Sequence, residues 1–127
     1  MTTYTVFHIT RPLVPTDVFY NAVEDGKVEE AIAADMYEAV AVVVANTLTD
    51  VFRDTNHIDW DWTENENVDA VVDRPRSTSV GDIVVEHFTG KVFVCAPYGW
   101  NEMEASLLTD KLDEEADRVI DQVEIPF

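Results

Sequence analysis

The chain has 127 residues, of which 26 are acidic and 8 basic, for a formal net charge of −18. At this length one domain, residues 1–127, can bury roughly two thirds of the surface of its unfolded chain, and a composition that is 46% hydrophobic and 10% aromatic is too apolar for a chain held open by its charge. The charge argues against direct binding of nucleic acid or of an anionic membrane, both of which it repels, and the single cysteine, Cys95, excludes an internal disulfide and a multi-thiolate metal site.

No basic head followed by an apolar core occupies the first twelve residues, so no signal peptide is expected. The uncharged run 39–49 has 11 residues, whereas a membrane span needs roughly 18. A soluble, cytoplasmic protein is expected. Only three cations are lysine (Lys27, Lys91, Lys111), and 14 aspartates outnumber 12 glutamates. Few lysines and many short carboxylates on an ordinary core suit molar salt, where screening cuts charge repulsion off within about 3 Å. The composition resembles that of proteins from extremely halophilic archaea.

Residues 3–9, rich in β-branched and aromatic side chains, predict a strand with Tyr4, Val6 and His8 on one face and Phe7 and Ile9 on the other. Pro12 and Pro15 interrupt the chain. Thr16 or Asp17 then caps a short helix that runs to Val23 and stops near Gly26. From Lys27 the residues Val28, Ile32, Met36, Val40, Val43, Val44, Thr47, Leu48 and Val51 recur at steps of three and four, which predicts a central helix of about 25 residues. Its run Val42, Val43, Val44 has modest helix propensity, so burial must hold it.

Residues 54–67 read as an acidic loop with Trp60 and Trp62, followed by a short strand at 68–72 and a basic spot at Arg74-Pro75-Arg76. Residues 80–87 and 91–96 flank Thr89-Gly90 as a hairpin. If Phe88 pairs with Lys91, Val84 faces Cys95 and His87 lies on the opposite face. Pro97, Gly99 and Asn101 end the hairpin. Asn101 or Ser106 caps a last helix whose stripe is Leu108, Leu112, Ala116, Val119, Ile120 and Val123, and the tail 125–127 is expected to dock as an extended end.

The chemistry-bearing residue types assemble into no specific signature. Cys95 with His87 would need both on one face to make a nucleophile and base, and the expected register separates them, so Cys95 reads as a structural buried thiol. His57 with Asp59, Asp61, Glu64 and Glu66 is acid-rich, but it lacks the glycine of a calcium loop and any zinc spacing. A third arrangement, His57 acting with nearby acids as an enzyme, would require those groups to converge in a cleft. Four scattered glycines form no phosphate-cradling loop. No metal, no cofactor and no catalytic residue is assigned. The candidate binding surface is aromatic: Trp60, Trp62, Trp100 and Tyr98, with His57, beside Arg74 and Arg76. Plain core filling is the alternative for the same tryptophans.

The segments Thr55-Asn56-His57-Ile58-Asp59, Trp62-Thr63-Glu64-Asn65, 74–84 and Tyr98-Gly99-Trp100-Asn101-Glu102 carry a resemblance. They resemble a group of small uncharacterised proteins encoded on haloarchaeal and actinobacterial plasmids and proviruses. The likeness spans residues 55–103, under half the chain, and implies a mobile element in a salt-loving host without implying an activity. Physically, the hydroxyls of Ser77, Thr78 and Ser79 close a turn, and Asp82 is placed to pair with Arg74 or Arg76.

The fold expected is α+β: an antiparallel sheet of three to four strands with a β-hairpin in the C-terminal half, packed by one long central helix and a C-terminal helix. One exposed face is expected to be able to support a homodimer. The expected function is a non-enzymatic protein-interaction module of a haloarchaeal plasmid or virus, salt-adapted, with an unidentified protein partner. The alternative is an acidic DNA mimic of the anti-restriction or nuclease-inhibitor type, which needs carboxylates arrayed along one face.

Overall fold

A computed structural model of the chain describes residues 1–123; the expected docking of the tail 125–127 lies outside the described residues. The architecture is α+β, with one six-stranded antiparallel sheet and helices on both of its faces. The strands are β1 (Thr2–Ile9), β2 (Tyr37–Ala45), β3 (Val68–Ala70), β4 (Ile83–Glu86), β5 (Val92–Ala96) and β6 (Gly99–Glu102), in the order β3-β2-β1-β4-β5-β6. Helices α1 (Asp17–Asp25), α2 (Glu29–Ala33) and α4 (Leu107–Ile120) cover one face, and α3 (Leu48–Asp54) lies on the other together with a 3₁₀ turn at Trp62–Glu64.

The first strand divides its side chains as its alternation predicts. Phe7 and Ile9 join Ala22, Ile32, Leu112 and Ala116 in the core under α1, α2 and α4. Tyr4 and Val6 join Val43, Val51, Trp62 and Val84 in the core under α3. Helix α1 starts at the Thr16 cap, whose hydroxyl accepts from the Phe19 N–H, and ends at Gly26 in the left-handed region. Ser106 caps α4 through a reciprocal pair with Thr109.

The long central helix is not formed. Residues 27–51 instead make the short α2, the nine-residue strand β2 and the start of α3. Helix α2 ends where Asp35 takes a positive φ of 58°, and the chain then enters the sheet between β1 and β3. A strand covered on both faces is apolar at nearly every position. Such a run necessarily contains residues three and four apart, so it mimics a helical stripe, while its consecutive valines favour the extended backbone. A bulge completes the disguise: Val6 pairs with Ala41 but Phe7 with Ala39, so Val40 is extra and the two-residue alternation slips there.

The sheet also gains β6, which the proline and glycine after Ala96 seemed to forbid. Gly99, with φ 86°, turns the chain back within two residues, and Trp100 pairs with Cys95. The hairpin of β4 and β5 forms two residues out of the expected register: Val84 faces Phe93, and the Glu86 N–H donates to the Lys91 carbonyl across a four-residue loop. A shift of two preserves faces, so Cys95 still shares its side of the sheet with Val84.

Candidate functional site

The segment from Arg74 to Asp82 crosses the open end of the sheet as a strap, and its residues are organised around one carboxylate. Asp82 is 0% exposed. Its two oxygens accept from both terminal nitrogens of Arg76, at 2.6 and 2.7 Å, from the Ile9 N–H at 3.0 Å and from the Ser79 N–H at 2.8 Å. Two parallel N–H donations from one guanidinium give the pair a fixed plane as well as charge. Arg76 donates further to the Ile9 carbonyl, so the strap is tied to the end of β1. Above the pair, Tyr37 donates its hydroxyl to the Gly81 carbonyl at 2.6 Å. Gly81 itself packs so tightly that a Cβ would lie 2.6 Å from the Ala22 carbonyl oxygen.

His8 belongs to this cluster. Its Nε2 is 2.9 Å from the Thr78 hydroxyl and 3.8 Å from Asp82. Burial pushes the imidazole down to about 4, against the pull of Asp82 and with the help of Arg76. The ring is therefore neutral at pH 7, and its approach to Asp82 is a polar contact rather than an ion pair. At 5% exposure the residue is buried, and its ring borders the hollow shared with Arg74 and Pro75.

A second clasp holds the acidic loop to the strap. Trp62 is 0% exposed and donates its indole N–H to the Arg76 carbonyl at 3.0 Å. The Trp62 backbone N–H donates to His57 Nδ1, which leaves Nε2 as the protonated nitrogen facing the Pro75 carbonyl at 3.3 Å. The His57 N–H donates to Ser77 Oγ, and the Thr78 N–H donates to the Thr55 carbonyl. His57, Trp62 and Arg76 thus come together, as the core-filling alternative for the tryptophans describes. Trp62 is removed from any exposed aromatic surface because its ring fills the layer beneath α3.

The other aromatic candidates lie outside. Trp100, on β6, meets Phe52 of α3 edge to face at 6.5 Å. Both rings border a groove of about 630 Å³, bounded by Phe52 of α3, Asn56 just beyond it, the strap residues 77–80, and Cys95, Ala96, Pro97, Gly99 and Trp100. Among the described residues no charged side chain lines it. Tyr98 stands at its end, 98% exposed. Asn56 also borders a smaller hollow of about 210 Å³ that holds Ile58 and Trp60. Trp60 is 59% exposed, yet its indole N–H donates to Asn65 Oδ1, and Asn65 in turn donates to the Asp54 carbonyl, so the ring is oriented. Arg74, with φ 48°, sits apart from this groove, beside His8, Glu38 and Pro75.

Cys95 lies on the groove floor. Burial, and secondarily Asp82, pushes its thiol up to about 11, so it is protonated and unreactive at neutral pH. His87, on the hairpin loop, is 3.4 Å from Asp117 of α4 and does not meet it. Among the described residues no group of three or more His, Cys, Asp or Glu side chains converges as metal ligands would, and no helix is long and apolar enough to cross a membrane.

Phe52, Asn56 and Pro97 escaped the sequence reading of this surface. Phe52 lies one residue beyond the apolar stripe that ends at Val51, and the fold brings it against Trp100. Comparisons with protein-family models, with curated proteins and with solved structures find no match to this chain.

Proposed function

We propose that the chain is a non-enzymatic protein-interaction module, salt-adapted and encoded on a haloarchaeal plasmid or virus. The observation that carries the interaction reading is the uncharged groove bordered by Phe52 and Trp100, which shares Asn56 with the hollow at Trp60. Aromatic side chains held in place around a concave surface are the usual anchors of protein recognition. The chemistry-bearing groups nearby support the same reading, since His8 is buried and neutral and Cys95 is a protonated thiol.

The salt-adapted part rests on composition and on where the acids lie. Carboxylates occur on α1, α2 and α4 over one face of the sheet and on α3 and the 59–66 loop over the other. That spread favours salt adaptation over a single DNA-like face. Dilution from molar to low salt is expected to lower the melting temperature; an unchanged melting temperature would return the acidity to function and favour the DNA mimic.

The interaction reading is tested by affinity capture from haloarchaeal lysate at molar salt. A discrete partner is expected with the wild-type chain, lost when Trp60→Ala and Trp100→Ala are combined and retained with Tyr20→Ala, an aromatic change on the distant helix α1. Identical capture by all three proteins would defeat it.

A further inference from the structure

Strand β6 is the last strand of the sheet, and the pairing determines which of its backbone groups are free. Cys95 spends its N–H and C=O on the Asp82 carbonyl and the Gly81 N–H, toward β4. By the alternation of an antiparallel ladder its neighbours Val94 and Ala96 turn theirs toward β6. The hydrogen-bonded pairs across β5 and β6 are therefore Ala96 with Gly99 and Val94 with Asn101, continued by the Met103 N–H donating to the Val92 carbonyl. The N–H and C=O of Trp100 and Glu102 consequently face outward, where no further strand of the described residues lies.

The side chains of those two residues share one face, the face of Cys95 and of the groove. Trp100 forms the groove wall. Glu102, two residues on, is half exposed, and its cationic neighbour Lys91 stands 3.9 Å away, too loosely placed to neutralise it.

We propose that the partner is an extended cationic segment that adds antiparallel to the outer edge of β6 as a seventh strand. This rests on the interaction-module reading and names its partner class. The residue opposite Trp100 is apolar and turns into the groove toward Phe52 and Pro97; the residue opposite Glu102, on the same face, is Lys or Arg. Main-chain hydrogen bonds to Trp100 and Glu102 supply register, and the groove and the carboxylate supply selectivity. Charge selects this occupant over a second copy of the chain. Two-fold pairing of β6 about Asn101 would leave Glu102 of each copy against a tryptophan rather than a cation. β6 has only four residues, so an added strand gains most of its binding from the groove rather than from the edge alone.

The probe is an acetylated and amidated peptide, Thr-Lys-Thr-Leu-Thr-Lys-Thr, which presents Lys, Leu and Lys on one face in either direction. At molar salt it is expected to bind, to quench or shift Trp100 fluorescence and to slow hydrogen exchange at the Trp100 and Glu102 amides. N-methylation of its Leu and Lys amides keeps every side chain and charge but removes the donors, and should weaken binding at least tenfold. In the protein, Glu102→Pro deletes an outward N–H without touching an internal ladder bond and should weaken binding at least tenfold, whereas Glu102→Gln should weaken it only a few fold. Equal binding of the N-methylated peptide by the wild-type chain overturns strand addition whether or not the proline variant folds. So does self-association of the chain that Glu102→Pro abolishes. A partner captured through Trp60 and Trp100 but indifferent to Glu102→Pro overturns strand addition while leaving the interaction module standing. Failure to bind either peptide or partner overturns both.

Discussion

The strap around Asp82 and the groove beside Trp100 are built from adjoining residues, yet one is finished and the other is open. In the strap the donors around Asp82 meet their acceptor: Arg76, Ser79 and the end of β1 converge on one carboxylate, and among the described residues no buried side-chain nitrogen or oxygen lacks a partner. In the groove the side chains are uncharged, they surround open space, and the backbone edge beside them is unpaired by any described strand. Residue types that suggest chemistry in a sequence, such as His, Asp, Arg and Cys, therefore separate by satisfaction. A group whose hydrogen-bond capacity is consumed internally holds the fold, and recognition is left to surfaces whose capacity is unspent.

The sharpest way to break this contrast is to strip the strap of its acceptor. Asp82→Ala leaves two backbone N–H groups and the inner edge of the 44% exposed Arg76 guanidinium without their partner; water can reach the guanidinium, and each buried donor left unpaired costs about 1–3 kcal/mol. Denaturation at molar salt should show a loss of that order; a loss near zero would mean that the strap is not what closes the fold. Arg76→Met together with Asp82→Leu removes both charges at once and should be milder than Asp82→Ala alone.

Acid offers a second, smaller cut at the same cluster. His8 titrates near 6.5 when unfolded and about 4 when folded. Between these values the unfolded chain binds a proton that the folded chain refuses, so stability is full above 6.5 and falls as the pH drops toward 4. The loss is on the order of 3 kcal/mol. His8→Gln should flatten this window relative to wild type, measured by denaturant midpoint at each pH; equal slopes in the two proteins would place His8 outside the sealed cluster.

The groove should respond in the opposite manner. Trp100→Ala is expected to cost about 2 kcal/mol in partner affinity and less than that in stability, because Trp100 is only partly buried. Tyr98→Ala, at a ring that touches little, should change stability within about 0.5 kcal/mol. A stability loss at Trp100 matching that of Asp82→Ala would erase the distinction between the two regions.

Much of the framework was legible in the chain. The caps at Thr16 and Ser106, the division of β1 between two faces, the Thr89-Gly90 hairpin and the pairing of Asp82 with a strap arginine all depend on contacts near in sequence or on a strict two-residue period. The central segment was misleading because a doubly buried strand and a buried helix share the same apolar run, and the bulge at Val40 broke the one period that distinguishes them. The aromatic surface was legible in kind but not in membership: an indole in an acidic loop carries no mark of whether it turns inward, as Trp62 does, or outward, as Trp60 does.

The amino-acid sequence by itself determined the local geometry, since capping, turn formation and side-chain alternation act over a few residues, and it set the net charge of −18. Tertiary structure alone decided that residues 37–45 enter the sheet, because only neighbours on both sides could satisfy their backbone and bury their valines. It also decided that Arg76 and His8 are gathered around Asp82, while Phe52 and Trp100, 48 positions apart in the chain, meet edge to face at the border of an open groove.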